Sequence, residues 1–278
     1  MNKLVTLKEL SNNQLQIYDV LCDMVCSLSD GKYKDMFVIK GGYALASALK
    51  NKNLNALARA TTDIDMWFFD KPLWKEFLGE SAEFLTKNSR LNIKYVMVEA
   101  KQTTDRWRGG YIRFQAITPF GKVFDTKIDM RIGSVALDQK VSLPSFDVTF
   151  NAVSFEKMLA DKLFNMTFWI IAKRPRDFYD VFALANLKNY KLSDIEKAWV
   201  SAKKYFNADE SIYSYNPVNY KELERVLTDL IDNEHLPVNF IDLYSRVCQF
   251  TCPIFECLIY GKEDRYWDVK EWLWVGMD

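Results

Sequence analysis

The chain has 278 residues, of which 49% are hydrophobic and 27% are charged, and its formal net charge at pH 7 is zero. These values are typical of a soluble globular protein with one large domain or two modest ones. A single histidine, His235, excludes a histidine-rich zinc site and leaves any Ser-His-Asp triad dependent on that one residue.

No segment has the pattern of a membrane span or a targeting signal. The apolar run at residues 165–172 is far too short to cross a bilayer. Residues 1–4 lack the charged-then-apolar build of a signal peptide. The five cysteines include no CxxC pair, which argues against a disulfide framework. We therefore expect a cytoplasmic protein that does not contact a membrane.

The first predicted elements surround a double glycine. Residues 11–28 carry apolar side chains at helical spacing, and residues 37–39 predict a short buried strand. Gly41 and Gly42 then allow a sharp turn and a close approach of the backbone to a ligand. Because the Ala/Leu run after them predicts a helix, its free N–H groups would face the turn and favour a phosphate.

Two carboxylates follow at the spacing of a strand. Asp63 and Asp65 alternate with Ile64, so a strand would place both carboxylates on one face and Ile64 in the core. Convergent carboxylates beside a phosphate site suit a hard cation such as Mg²⁺, or Mn²⁺ in its place.

The next elements are a helix and two strands. Pro72 is predicted to open a helix that ends near residue 87, and residues 93–98 and 111–117 are predicted strands. The loop between these strands contains Arg106, Trp107 and Arg108. These three side chains could grip a base and a phosphate, but an ordinary surface loop is the favoured interpretation.

Residues 122–132 show a clean period of two. The odd-numbered positions place Asp125 and Asp129 on one polar face, and the even-numbered positions are mostly apolar. A site for two metal ions requires a third carboxylate from a separate strand. We choose Asp129 because Ile128 and Met130 flank it in the apolar centre of the strand. The alternative is an exposed, salt-bridged strand face.

The composition changes near residue 152. Residues 141–153 predict one more strand, interrupted at Pro144, and nearly everything from Ser154 onward predicts helices. The predicted domains are therefore residues 1–152, an α/β domain with a small mixed sheet, and residues 153–278, an all-helical domain. We expect the active site in the cleft between them, and we expect the aromatic-rich tail at 266–274 to pack on the helical domain.

Two of these helices carry charged side chains of interest. Lys162 lies at the edge of an apolar stripe on the helix at 155–163, where it can reach water or an anion. Pro175 begins the next helix, on which Asp177 and Asp180 share a face. A salt bridge between the packed helices is the alternative role for Lys162 and Asp177.

The double glycine followed by Arg59, Asp63 and Asp65 resembles the opening motif of the nucleotidyltransferase superfamily. The details are similar to the AbiEii/AbiGii-type toxin family, in which a Lys-Gly-Gly-x-x-Leu segment, here starting at Lys40, precedes Arg and Asp-Ile-Asp. Tyr43 departs from the many superfamily members that carry a small hydroxyl residue near that turn.

The resemblance continues further along the chain. Lys127-Ile128-Asp129 matches a Lys-x-Asp pattern of the family. Lys162 and the Arg-Asp-x-x-Asp segment that ends at Asp180 resemble the second half of its signature. The likeness covers about residues 37–183.

The resemblance implies an enzyme that uses Mg²⁺ or Mn²⁺ to move a nucleoside monophosphate from an NTP to a hydroxyl acceptor. RNA, notably a tRNA end, is the implied acceptor, and an antitoxin protein is an implied partner. The catalytic residues would be Asp63, Asp65, Asp129, Lys162 and Asp177, of which the first three bind metal. The nucleotide-binding residues would be Lys40, Gly41, Gly42, Arg59, Thr62 and Lys162.

Two rival functions stay open. A metal-dependent phosphodiesterase or nuclease could use the same carboxylates, although it would not need a glycine cradle for a triphosphate. A catalytically inactive relative could act as a binding or regulatory module, although it would not need to keep all three carboxylates.

Overall fold

A computed structural model describes residues 16–69, 71–103, 109–132, 138–143, 146–168, 174–206, 220–261 and 264–276. Their contacts divide the chain into two compact units. The first unit comprises the chain up to Asn51 together with Ala60–Val153. The second comprises Lys52–Arg59 and the chain from Ser154 onward. Whether these units are separate domains with a boundary near residue 152 and a cleft between them stays a prediction.

The first unit contains a mixed sheet with helices. Its elements are α1 (Ile17–Asp30), β1 (Phe37–Lys40), α2 (Gly41–Asn51), β2 (Asp63–Phe68), α3 (Lys71–Asn88), β3 (Lys94–Thr103), β4 (Gly109–Ile117), β5 (Val123–Ile132), β6 (Asp138–Leu143) and β7 (Val148–Val153). The strands lie in the order β3-β4-β5-β2-β1-β7-β6. The β2–β5 and β1–β7 pairs are parallel, and the other neighbours are antiparallel. The predicted α/β fold class is confirmed.

Burial follows the predicted alternation on the two central strands. Ile64 and Met66 of β2 and Ile128 of β5 have no exposed surface, and Met130 is almost fully buried. The residues between them on the same strands are only half-buried. One face of the sheet therefore belongs to the core, and the polar face of β2 and β5 is left accessible.

A buried carboxylate ties α1 to the start of the third strand. Asp23 accepts hydrogen bonds from the backbone N–H groups of Arg90 and Leu91 and from the hydroxyl of Tyr95. Burial raises the pKa of Asp23, and these bonds lower it in part. The helix is thus held against the sheet by a polar contact as well as by its apolar side chains.

Some predicted boundaries differ from the structure. The single strand predicted over 141–153 is two antiparallel strands, β6 and β7. Pro144, Arg106, Trp107, Arg108 and the start of the helix predicted from residue 11 lie outside the described residues.

The second unit is mainly helical. Its elements are a short 3₁₀ turn (Asn55–Leu57), α4 (Phe155–Phe168), α5 (Pro175–Ala185), β8 (Tyr190–Lys191), α6 (Leu192–Phe206), α7 (Tyr220–Glu234), α8 (Phe240–Tyr260), β9 (Arg265–Asp268) and β10 (Leu273–Gly276). Across the described ranges of both units, no helix has the length and apolar character needed to cross a bilayer.

The expectation of an all-helical second part needs one correction. β8, β9 and β10 form a small sheet in the order β10-β9-β8. The indole N–H of the buried Trp267 donates to the carbonyl of Ala185 at 2.8 Å, and that of Trp274 donates to the carbonyl of Phe250 at 2.9 Å. The aromatic tail therefore packs on the helices, as expected, and does so as strands.

Candidate active site

Two neighbouring parallel strands carry the predicted carboxylates. The pairing of β2 with β5 sets Asp63 beside Lys127 and Asp65 beside Asp129. Because residues two apart on a strand point to the same side, all four side chains share one face of the sheet. The structure therefore places the three predicted carboxylates on one face, and it adds a lysine to them.

Lys127 lies among these carboxylates, although no role in the site was predicted for it. Its Nζ is 2.6 Å from Oδ2 of Asp129 and 3.6 Å from Oδ2 of Asp63. Burial lowers the pKa of Lys127, but the hydrogen bond to Asp129 and the nearby acidic charges raise it by more. The side chain is therefore a charged ammonium. The alternation that identified Asp129 places Lys127 on the same face and could have identified it.

The predicted glycine turn lies beside Asp65. β1 ends at Lys40 and α2 begins directly at Gly41. Gly41 has a φ of 69°, in the left-handed region that favours glycine. A Cβ at this position would collide with Oδ2 of Asp65. The positive end of the α2 dipole thus has an anionic group next to it, and a helix N-terminus of this kind also favours a phosphate.

The other predicted nucleotide-binding residues of the first unit lie close by in the fold. Gly42 is the second residue of α2. Lys40 is the β1 neighbour of Asp65, and its ammonium lies 6.0 Å from the centre of the Trp67 ring. The hydroxyl of Thr62 donates to Oδ1 of Asp63 at 3.1 Å.

Tyr43 does not replace the small hydroxyl that many superfamily members carry near this turn. Its side chain is fully buried, and its hydroxyl donates to Sγ of Cys22 at 3.3 Å. Burial raises the pKa of Tyr43 well above its ordinary value. This hydroxyl belongs to the core, so a phosphate at the turn would depend on backbone N–H groups.

The donor chemistry of the carboxylate face fits a divalent cation. Oxygen ligands are those that Mg²⁺ prefers, and the side chains of Asp63 and Asp129 are 42% and 39% exposed. Among the described residues, no three Asp, Glu, His or Cys side chains stand close enough together to hold an ion. The ammonium of Lys127 lies between Asp63 and Asp129, so it must move before these two can share a cation.

An open pocket of about 530 Å³ borders Asp63. Its lining includes Asp63, Lys127, Asp125 and Arg113. There is room for a ligand beside Asp63, and Asp125 also faces that space. The register favours Asp129 as the third carboxylate, because Asp129 is the neighbour of Asp65.

The second unit contains a separate network of charged side chains. Arg59 makes two hydrogen bonds to Asp180, from Nε to Oδ1 at 2.7 Å and from Nη2 to Oδ2 at 3.0 Å. Lys162 contacts Asp180 at 2.8 Å and Asp177 at 2.5 Å, and Asn165 donates to Asp177 at 3.1 Å. The predicted alternative of a salt bridge between Lys162 and Asp177 is therefore present in the structure.

Asp180 is the most buried member of this network, and the sequence analysis did not assign it to the site. Its side chain is 0% exposed, against 11% for Arg59 and 15% for Lys162. Burial raises the pKa of Asp180, but the charges and hydrogen bonds of Lys162 and Arg59 outweigh it and hold the pKa at about 2. The spacing of Asp177 and Asp180 on one face of α5 was the available signal.

Comparison with known proteins identifies the chain. The sequence matches the family described as "Nucleotidyl transferase AbiEii toxin, Type IV TA system" over residues 23–240. The family is one of nucleotidyltransferases, and its model covers most of the chain. More particularly, the chain belongs to the AbiEii toxin family of type IV toxin–antitoxin systems, which confirms the resemblance.

The chain also resembles solved structures. The chain is similar to a crystal structure from H. pylori that is provisionally described as a nucleotidyltransferase. The identity is 14% and the TM-score 0.47, over 91% of this chain and 100% of that one. None of the curated proteins compared with the sequence matches it.

We predict that Gly41→Ala destabilises the protein and displaces Asp65. The new Cβ adds left-handed strain of about 1–2 kcal/mol and collides with the carboxylate. Urea unfolding measures the effect. Gly79→Ala is the matched control, because a Cβ at this position in α3 has no atom within 4 Å and should stabilise the helix by about 1 kcal/mol.

The cause of the Gly41→Ala effect can be tested with a second change. If the collision contributes, Gly41→Ala and Asp65→Ala should be less than additive, as expected of residues in contact. Equal effects of Gly41→Ala and Gly79→Ala would contradict the close approach of Gly41 to Asp65.

Removal of Asp180 should destabilise the second unit strongly. Asp180→Ala leaves Arg59 and Lys162 without this partner in a buried place, which should cost about 3–5 kcal/mol. Asp177→Ala should cost less, because Lys162 keeps its contact with Asp180. Urea unfolding of the two variants at neutral pH compares the losses, and an equal loss in both would contradict the central position of Asp180.

The contribution of Asp180 to the free energy of unfolding should depend on pH. Folding lowers the pKa of Asp180 from its ordinary value of 3.8 to about 2. Its contribution to stability is therefore complete above pH 3.8 and is lost as the pH falls through 2, with a total of about 2 kcal/mol. Urea unfolding of Asp180→Asn at several pH values between 5 and 2 should lack this loss.

Proposed function

We propose that the protein is a metal-dependent nucleotidyltransferase that moves a nucleoside monophosphate from an NTP to a hydroxyl of RNA, with a tRNA end as the expected acceptor. Membership of the AbiEii family supports the transferase class and the toxin–antitoxin setting. The observation that carries the proposal is the β2–β5 register, which places Asp65 beside Asp129, with Asp63 on the same accessible face.

The cofactor, partner and location are part of the same proposal. We propose Mg²⁺ or Mn²⁺ as the cofactor, because the face offers carboxylate oxygens to a cation. An antitoxin protein is the proposed partner, since the family is one of toxin–antitoxin systems. The five free cysteines support a reducing location, for which we propose the cytoplasm.

Each of the three predicted carboxylates has a proposed task. Asp63 and Asp65 would hold the cation together with the triphosphate, and Asp129 would also hold metal, next to the acceptor hydroxyl. When bound, the cation neutralises charge on the phosphates and makes the hydroxyl a better nucleophile. The first N–H groups of α2, after Gly41, would bind a phosphate. Such transfer depends on position and charge, so a chain with one histidine can perform it.

Lys162, Asp177 and Arg59 remain proposed active-site residues because of the resemblance. In the structure, Arg59 and Lys162 both contact Asp180, and Lys162 also contacts Asp177. An anionic substrate would therefore compete with two carboxylates for the ammonium of Lys162.

A transfer assay tests the proposed function. The protein is incubated with each of the four labelled NTPs and total RNA, with Mg²⁺, with Mn²⁺ or with a chelator. We expect label on RNA and release of pyrophosphate only when metal is present. RNA that is shortened without gaining label would favour the rival phosphodiesterase, and the absence of any metal-dependent product would refute the proposal.

A matched pair of variants on β5 tests the third carboxylate. Asp129→Asn should lower transfer by about a thousandfold or more, because the charge that holds the reacting groups is lost. It should leave much of the NTP binding intact, since Asp63 and Asp65 remain. Asp125→Asn removes the same charge from the same face of the strand and should have a small effect. If only Asp125→Asn abolishes transfer, Asp125 is the third carboxylate.

A further inference from the structure

Lys127 has contacts that neither the resemblance nor the proposed mechanism explains. It lies on β5, directly beside Asp63 on β2, and its side chain is 27% exposed. Its ammonium reaches Asp129 at 2.6 Å and Asp63 at 3.6 Å. One lysine thus bridges two of the carboxylates to which the metal is assigned, and these two come from different strands.

The stability of the fold gives little reason for this arrangement. Ion pairs between partly exposed side chains contribute little to stability, because water screens them. The side chains of Asp63 and Asp129 are about two-fifths exposed, at 42% and 39%. A structural role alone would not require the ammonium to lie among the carboxylates of the site.

Charge makes Lys127 and a divalent cation competitors for the same place. An ammonium has donors and no acceptor, so it can neutralise the carboxylates but cannot become a ligand of a metal ion. A cation shared by Asp63 and Asp129 would stand close to the present position of Nζ and would repel it. The ammonium must then find another anionic partner, and a nucleotide triphosphate bound at the same face would supply one.

We infer that Lys127 holds the cation position between Asp63 and Asp129 in the substrate-free protein, and that metal and nucleotide displace it together. The inference rests on the proposed function, and it makes Lys127 a positioning residue. A metal ion alone has to expel the ammonium into solvent. A metal ion that arrives with a nucleotide leaves the ammonium with a phosphate. Metal binding and nucleotide binding are therefore coupled, and each strengthens the other.

Binding measurements without catalysis test the inference. Calorimetric titration with Mn²⁺ is performed on the whole protein, with and without a non-hydrolysable NTP analogue. In the wild type the analogue should tighten Mn²⁺ binding by about tenfold or more. Lys127→Met should bind Mn²⁺ at least about tenfold more tightly than the wild type without nucleotide, because the competing charge is gone. In Lys127→Met, the analogue should therefore tighten Mn²⁺ binding much less than in the wild type.

Two further variants separate displacement from a general effect of charge. Arg113 is the β4 neighbour of Lys127, and its side chain is 60% exposed and 3.6 Å from Glu99. Arg113→Met removes the same charge one strand away and should change the Mn²⁺ affinity by less than about threefold. Lys127→Arg keeps the charge and should behave like the wild type. Equal tightening in Lys127→Met and Arg113→Met, or in Lys127→Met and Lys127→Arg, would overturn the inference.

The outcomes also distinguish this inference from the proposed function. If the wild type transfers label but its Mn²⁺ affinity does not respond to the analogue, Lys127 is not displaced and only the inference fails. If the wild type binds no Mn²⁺ even with the analogue, both fail. Thermal melts confirm that each variant is folded. Should Lys127→Met not fold, the response of the wild type to the analogue and the behaviour of Lys127→Arg still decide the question.

Discussion

The site depends on the parallel pairing of β2 with β5. This register places Asp65 beside Asp129 and Asp63 beside Lys127. A slip of one residue would turn every side chain of one strand to the other face and carry Asp63 and Asp65 into the core. Ile64 and Ile128, both without exposed surface, prevent that slip. The apolar residues thus fix the position of the acidic ones, so the chemistry of the face depends on the packing beneath it.

The alternation of polar and apolar residues was enough to predict the face, but it could not predict the partners on it. A period of two tells which side chains of one strand point together, and it placed Asp63 with Asp65 and Asp125 with Asp129. It carries no information about which strands are neighbours, so the contacts of Lys127 with Asp63 and Asp129 were not predictable from it. β8 contains only two residues, too few to show any period, and the small sheet was missed for that reason.

The charged residues on α4 and α5 were predicted from local spacing, which again did not show all of their partners. The spacing of Asp177 and Asp180 gave the shared face of α5, and a salt bridge between Lys162 and Asp177 was the predicted alternative. The central role of Asp180 in the network was missed because its second cation, Arg59, comes from a distant segment of the chain. No local pattern links a residue after α2 to one on α5. Only the folded second unit, which includes Lys52–Arg59, brings them together.

The two groups of charges differ in burial, and burial decides which of them can exchange partners. Asp180 is 0% exposed and accepts from two cations, so displacing either cation would remove one of these two partners in a place that water does not reach. Lys127 is 27% exposed, and water can solvate its ammonium while it moves. An ion pair that must open during each reaction is therefore better placed on the sheet face. The buried network is suited to hold Arg59 in place, four residues before Asp63 in the chain.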